Sequence, residues 1–357
     1  MYILILLIIL SMSFVLIKDT KKRKIIYLLV CFGLMAVISG LRGKSVGTDT
    51  QGYYHIFENL KSYGLENYTS IWKTDYAFLY MLNLNIKTID NFQVALLTMS
   101  IFTSFCFGRF IFKYSKNIVV STLLYFLFVF PRTMNICRMY VAIGFFLLAI
   151  EQILKKRKIM PFIFVIFASF IHLSAVFLLP FCFLSFRKKM NFKIFIIIVL
   201  ACVTVAFALP FASIVAINIA PKYSAYLVSS DQYISTLSWK YAVLYAVVLL
   251  MLISCFYLNK QRKLISDDDN NIFLFGALFV CSVVFLIMAQ QIVVLDRYYD
   301  YFYCGFLIVL PYSIESLFKK KDEAFKVEII FMAFLIYAGL SSIFGGIAGC
   351  YPFVFFN

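Results

Sequence analysis

The chain has 357 residues, 63% of them hydrophobic and only 14% charged, whereas soluble domains carry about a quarter charged residues. That excludes a soluble globular protein, and recurring apolar runs of about 20 residues read as membrane-spanning helices rather than the alternating strands of a β-barrel. The net charge of +16 does not point to nucleic acid, because the basic residues fall in short runs between apolar segments, where they orient a chain across a bilayer.

The first apolar segment, residues 1–17, has no basic leader and no small-residue cleavage site, and KDTKKRK follows it. It reads as an uncleaved first helix. Placing the basic runs at 18–24, 109–116, 155–158, 187–193, 260–263 and 319–326 on the cytoplasmic side gives spans near 1–17, 25–41, 92–112, 118–131, 132–154, 191–209, 239–258, 272–290, 300–318 and 326–347. The expectation is an all-α polytopic protein with about ten transmembrane helices and both termini extracytoplasmic. Residues 1–357 form a single transmembrane domain in this reading, with external loops at about 42–91, most polar over 42–75, and at 210–238.

Two stretches do not cross. Residues 76–90 are apolar but short and interrupted, which suits an interfacial or re-entrant helix. Residues 159–186 lie between two basic runs, so they should enter and leave on one side as two arms of about 12 residues, with His172 near the turn. A single helix that leaves 187–189 outside is the alternative. The nine cysteines form no CxxC pair and mostly fall within spans, as small apolar packing residues do.

The ionisable residues that remain gather on the external side. Arg42 leaves the second span into Arg42-Gly-Lys-Ser-Val-Gly47-Thr48-Asp49-Thr-Gln-Gly-Tyr53. There the glycines allow a tight turn, the guanidinium can meet a phosphate, and Asp49 can take a proton from a hydroxyl. An ordinary loop with an Arg–Asp pair is the plain alternative. In Pro131-Arg132-Thr-Met-Asn135-Ile-Cys-Arg138 the proline is expected to start a helix of about 24 residues running inward. That start would present Arg132, Asn135 and Arg138 on one face of an anion-binding N-terminus; arginines snorkelling to headgroups would look the same. His172 lies at membrane depth, where an ionisable group is a functional candidate as base or phosphate donor, or else a histidine bonded across helices. His55 reads as a surface residue of the polar loop. Arg297, within Asp296-Arg297-Tyr-Tyr-Asp300-Tyr301, either pairs with its neighbouring aspartates or holds a second anionic group. Four external arginines, Arg42, Arg132, Arg138 and Arg297, need a bound polyanion such as a lipid-linked diphosphate. The run Asp267-Asp268-Asp269 falls on the cytoplasmic side and reads as a solvated loop. No Walker loop, GxGxxG, HExxH or GxSxG occurs, so no cofactor is assigned, and no metal site.

LRGKSVGTDTQGYY resembles the LR-x-x-x-VGTD-x-x-x-Y signature of EpsG-family membrane proteins, the Wzy-like polysaccharide polymerases. Trp72-x-x-Asp75-Tyr-x-Phe78, the Arg-x-x-Asn-x-x-Arg segment at 132–138 and Phe-x-His172-x-Ser174 follow in matching order. The family often has glutamate where this chain has Asp75. The resemblance implies a scaffold related to the GT-C glycosyltransferases and a bacterial cytoplasmic-membrane enzyme. Such an enzyme joins undecaprenyl-diphosphate-linked repeat units outside the cytoplasmic membrane, with the growing glycan as donor and a new lipid-linked unit as acceptor. Asp49, His172 and Arg42 are the expected catalytic residues. Arg132, Asn135, Arg138, Arg297, Tyr53 and Asp75 are the expected binders of diphosphate and sugar. Chain-length regulator and flippase proteins are the implied partners, with no nucleic acid. A flippase or transporter of lipid-linked oligosaccharides is the alternative; it would show midplane polar residues and pseudo-symmetric halves, neither of which is visible. A membrane acyltransferase using His172 would need donor access from the cytosol.

Overall fold

The structure is a computed structural model, and it describes the whole chain except residues 18–19, 72–74, 188, 220–238, 263–270, 291–294, 319 and 357. The expected external loop 210–238 falls largely outside the described residues, as do Trp72 and the aspartate run 267–269. Among the described residues there is no strand, and an isolated antiparallel β-bridge joins Arg42 to Phe355. The chain divides into two compact units, residues 1–186 with 328–357, and residues 187–327.

The first unit holds both candidate motifs and the His172 stretch. Its helices are α1 (Tyr2–Met12), α2 (Lys21–Gly40), α3 (Thr50–Tyr63), α4 (Leu65–Ile71), α5 (Tyr76–Thr88), α6 (Phe92–Tyr114), α7 (Ile118–Leu124), α8 (Phe130–Asn135), α9 (Cys137–Leu154), α10 (Met160–Ile171) and α11 (Leu179–Cys182). The starts are written in polar side chains. Thr20 accepts from the Arg23 amide, Asn91 from those of Gln93 and Val94, and Asn117 from those of Val119 and Val120, each satisfying donors that a helix N-terminus leaves open. The apolar faces of α3, α4 and α5 pack on α6 and the start of α9 in one cluster that includes Phe57, Phe78, Leu82, Phe92 and Met99.

Polar contacts give this unit two ends. At one end Gln93 donates to the carbonyls of Gly40 and Arg42, where α2 finishes and α6 begins. At the other, Glu151 of α9 accepts two bonds of 2.9 Å from Arg109 of α6 and lies 2.7 Å from both Lys113 and Lys155. The thirteen residues from Arg138 to Glu151 span about 20 Å along α9, so the arginine motif and this basic hub lie at opposite ends of one helix.

The chain does turn back at His172. It caps α10 in extended backbone (φ −146°, ψ 112°), and a 3-10 stretch, Leu173–Leu178, then leads into α11. The returning arm runs beside α10: the rings of Phe162 and Phe183 are 5.2 Å apart, and Lys158 Nζ sits 6.0 Å from the Phe186 ring. A single straight helix over 159–186 is therefore not what forms. Residues 76–90 hold a helix of 13 residues, α5, which is not among the helices long and apolar enough to cross a bilayer.

The expected helix from Pro131 to Lys155 is corrected. Pro131 lies inside helical backbone that continues from α7 through a π turn, Tyr125–Val129, into α8. The break comes five residues later at Ile136 (φ −93°, ψ 51°). A widened turn is where a helix can take up a proline that has no N–H to donate. Arg132 thus sits in the last turn of one helix and Arg138 in the first turn of the next, so the two do not share a helix face with Asn135.

The second unit contains α12 (Phe192–Ile219), α13 (Trp239–Arg262), α14 (Asn271–Ala289), α15 (Asp296–Phe302) and α16 (Cys304–Leu317). Phe279 of α14 stacks on Phe306 of α16 at 5.3 Å, and the hydroxyls of Tyr245 and Tyr299 meet at 2.9 Å. The last helix, α17 (Lys321–Phe344), crosses from this unit's residues into the first's. Among the described residues, seven helices are long and apolar enough to cross a bilayer: Lys21–Gly40, Phe92–Tyr114, Ile118–Asn135, Cys137–Leu154, Trp239–Tyr257, Asn271–Ala289 and Asp322–Phe344. The expected spans 1–17 and 300–318 appear as the shorter apolar helices Tyr2–Leu16 and Cys304–Leu317, and all but the first residue of 191–209 falls within α12. All nine cysteines are buried and unpaired.

Candidate functional site

The helix break at Ile136 builds the site. It leaves the Asn135 side chain facing the loop after α2, where Asn135 Oδ1 accepts from Thr48 Oγ1 at 2.9 Å and from the Asp49 amide at 2.8 Å. Thr50 Oγ1 lies 2.7 Å from the Val46 carbonyl and 3.3 Å from that of Met134, which closes the same seam from inside. The turn needs Gly47, whose φ is +86° and whose absent Cβ would come within 2.8 Å of the Met134 carbonyl. Asp49 itself, just before α3, is exposed.

Arg42 is fully buried. Its guanidinium donates to the Ser39 carbonyl at 2.5 Å and to Thr50 Oγ1 at 3.4 Å, while Nη2 has no hydrogen-bond partner. The residue read from sequence as reaching a ligand is therefore, in the structure, the inner post of the loop.

Arg138, in the first turn of α9, reaches Asp75. Its Nη1 lies 3.1 Å from Asp75 Oδ2 with both side chains largely buried, and neither Nε nor Nη1 is aimed at an acceptor. The contact is thus an ion pair rather than an aligned hydrogen bond, and it leaves N–H donors for something else. The rings of Phe78 and Tyr53 flank the guanidinium at 5.3 and 5.9 Å, a cation–π setting. Burial raises the Tyr53 hydroxyl pKa far above its ordinary value, with the nearby Cys137 and Asp49 adding to that and the charges of Arg138 and Arg42 opposing it. Tyr53 is therefore a hydroxyl that stays protonated.

Asp75 uses its other oxygen on the hairpin, where Oδ1 accepts from the Leu173 amide at 3.0 Å. That bond docks the turn at His172 beside Arg138. His172 is buried and its Nδ1 lies 2.6 Å from Ser174 Oγ.

Asp49, Tyr53, Asp75, Asn135, Arg138 and His172 are thus brought together from four separate stretches of chain, with Arg42 behind them. Arg132 is half-buried in the last turn of α8. Arg297 is exposed on α15 of the second unit, and His55 is exposed on α3. Three features were not read from the sequence, two at the site and one, Glu151, at the far end of α9. Thr50 looked like any loop threonine. Glu151 could have been found, as a lone acid in an apolar helix four residues before Lys155. The third is the stretch 346–356, which lies against the Arg42 loop and whose apolar sequence carries no sign of it.

A family model described as the EpsG family matches residues 25–355. No curated protein matches the chain, and no solved structure does.

Proposed function

This chain belongs to the EpsG family, a family of Wzy-like polysaccharide polymerases, and from that premise we propose that it joins lipid-linked oligosaccharide units on the extracytoplasmic face of a bacterial cytoplasmic membrane. Undecaprenyl-diphosphate-linked glycan is donor and acceptor in this reading. The anomeric carbon–oxygen bond to the donor diphosphate breaks, and a new glycosidic bond forms to an acceptor hydroxyl, whose proton passes to a base.

One observation supports this above others. Two buried guanidiniums, Arg42 and Arg138, keep N–H groups without hydrogen-bond partners next to an exposed carboxylate, Asp49, and a buried imidazole, His172. Unpaired buried donors are costly, and a leaving diphosphate supplies the charge and the acceptors they lack. Arg138 and Arg132 take the diphosphate, while Arg42 adds its field from behind the loop. His172, through Nε2, or Asp49 takes the hydroxyl proton. Tyr53, Asn135 and Asp75 shape the acceptor side. Arg297 is assigned to a second anionic group, and chain-length regulator and flippase proteins are the expected partners. No nucleotide is needed, because the lipid diphosphate carries its own leaving group.

The test is extension of a lipid-linked repeat unit by the purified protein, read as a ladder on a gel. Arg132→Ala and Arg138→Ala should each reduce the ladder to single units. A wild-type ladder from both would overturn the proposal.

A further inference from the structure

The stretch from Gly346 to Phe356 runs across the Arg42 loop and is stitched to it by backbone bonds. The Gly43 amide donates to the Val354 carbonyl at 2.8 Å, the Phe356 amide to Leu41 at 3.0 Å, and the Gly47 amide to Gly349 at 2.9 Å. Arg42 and Phe355 form the β-bridge at the centre of this pairing. Two further ties fix the stretch from below: Cys350 Sγ lies 3.1 Å from the Pro131 carbonyl, and Tyr2 donates to the Cys350 carbonyl at 2.7 Å. One short segment therefore holds the start of α1, the start of α8 and the Arg42 loop at once.

Its backbone is shaped for that place. Gly346, Ala348 and Gly349 all have left-handed φ values of 84°, 58° and 64°. Gly349 touches Thr48, where an added Cβ would come within 2.8 Å of Cγ2 and 3.1 Å of the amide nitrogen; at Gly346 an added Cβ would meet nothing within 4 Å. Thr48 is the residue whose hydroxyl bonds Asn135. A line of contacts thus runs from Gly349 through Thr48 to Asn135, beside the amide of Asp49.

We infer that the 346–356 segment is a positioning element of the transfer site. It holds the 41–50 loop on Asn135, so that Asp49 and Arg42 stay in register with Arg138 and His172. The inference rests on the reading of the site given above, and Gly349 is its key contact.

Gly349→Ala and Gly346→Ala make the test, because both place a methyl on left-handed backbone and only the first meets Thr48. Chain extension is followed with purified protein over a range of acceptor concentrations, with thermal unfolding measured alongside. Gly349→Ala should lower the turnover at saturating acceptor about tenfold, while its melting temperature matches that of Gly346→Ala. Thr48→Ser in the Gly349→Ala background removes the methyl that is struck and keeps the hydroxyl, and should recover at least threefold. Equal turnover in the two single variants, or no recovery with serine, overturns the inference. If Gly349→Ala does not accumulate, Gly43→Ala takes its place, since its Cβ would press on the Val354 and Phe355 carbonyls at 3.2 Å; wild-type turnover there is the overturning result. Arg138→Ala in the same assay separates the two ideas. If Arg138→Ala is silent, the site itself is wrong, whereas loss in Arg138→Ala beside full turnover in the glycine variants removes only the positioning role.

Discussion

Asp75 holds Arg138 with one carboxylate oxygen and the Leu173 amide with the other, at 3.1 and 3.0 Å. A single side chain so joins the first turn of α9 to the turn of the His172 hairpin. It does this from left-handed backbone, φ 59° and ψ 37°, which aspartate tolerates better than most residues. The shorter side chain suits the place: a glutamate would put the carboxylate one methylene further out from a backbone that already points it at both partners.

Removing one member of this pair should therefore differ from removing both. Arg138→Ala takes from a buried carboxylate a counter-charge 3.1 Å away, and removing one member of a buried pair costs about 3–5 kcal/mol. Adding Asp75→Asn removes that charge and still lets Oδ1 accept from Leu173, so the double variant should be more stable than Arg138→Ala alone yet equally inactive. Thermal unfolding in detergent and the polymer ladder read the two effects separately. A double variant less stable than Arg138→Ala would show that the pair is not what matters.

Asn135→Ala deletes the acceptor shared by Thr48 and the Asp49 amide. Two such bonds are worth about 1 kcal/mol each, too little to unfold a chain packed this extensively. The expected result is normal protein level with polymer output down tenfold or more, because the Asp49 loop loses its register on α8. Unchanged output at matched level would detach Asn135 from the site.

Much of this could be read from residues alone, and where it could not, the reasons are physical. The hairpin at 159–186 was legible because basic runs flank it on both sides, and the grouping of Arg138 with His172 followed from threading both to the external side. The helix boundary at Ile136 was not, since Pro131 carries the stronger start signal and Ile136 is an apolar residue with no capping chemistry. Burial of Arg42 was not read from a sequence in which its guanidinium was expected to meet a phosphate; it follows from backbone pairing between residues more than 300 positions apart, which no local pattern encodes.

With His172 as the proposed base, Ser174 is expected to help set its working nitrogen. With Nδ1 at 2.6 Å from the Ser174 hydroxyl, Ser174→Ala removes one restraint on the ring's tautomer and rotation. Turnover should fall and its pH profile should move, with Ser174→Thr restoring both because the hydroxyl returns. An unmoved pH profile in Ser174→Ala, beside an inactive His172→Ala, would rule out this control.

Glu151 predicts the opposite pattern. Its carboxylate is shared by Arg109, Lys113 and Lys155, so Glu151→Gln releases three cations at once, whereas Arg109→Ala still leaves two partners for the acid. The first should lower the melting temperature by several degrees and the second by much less. Turnover per folded molecule should hold in both, since the hub stands about 20 Å along α9 from Arg138. A turnover loss in Glu151→Gln larger than its stability loss would mean that the two ends communicate.

Orientation across the membrane follows from the same two ends. Because the native cysteines are all buried, single cysteines placed at exposed Ser45, Lys158 and Arg187 can be read with a membrane-impermeant thiol reagent on intact cells. The positive-inside bias puts the hub in the cytoplasm, so Ser45→Cys should label at once. Lys158→Cys and Arg187→Cys should label only after permeabilisation. Those last two flank the hairpin, whose arms run side by side from Phe162 to Phe183, and must therefore behave alike. Labelling of Arg187→Cys but not Lys158→Cys from outside would mean that the chain crosses at 159–186. Labelling of Lys158→Cys but not Ser45→Cys would invert the unit and move the arginine site to the cytoplasm, where an extracytoplasmic polymerase could not use it.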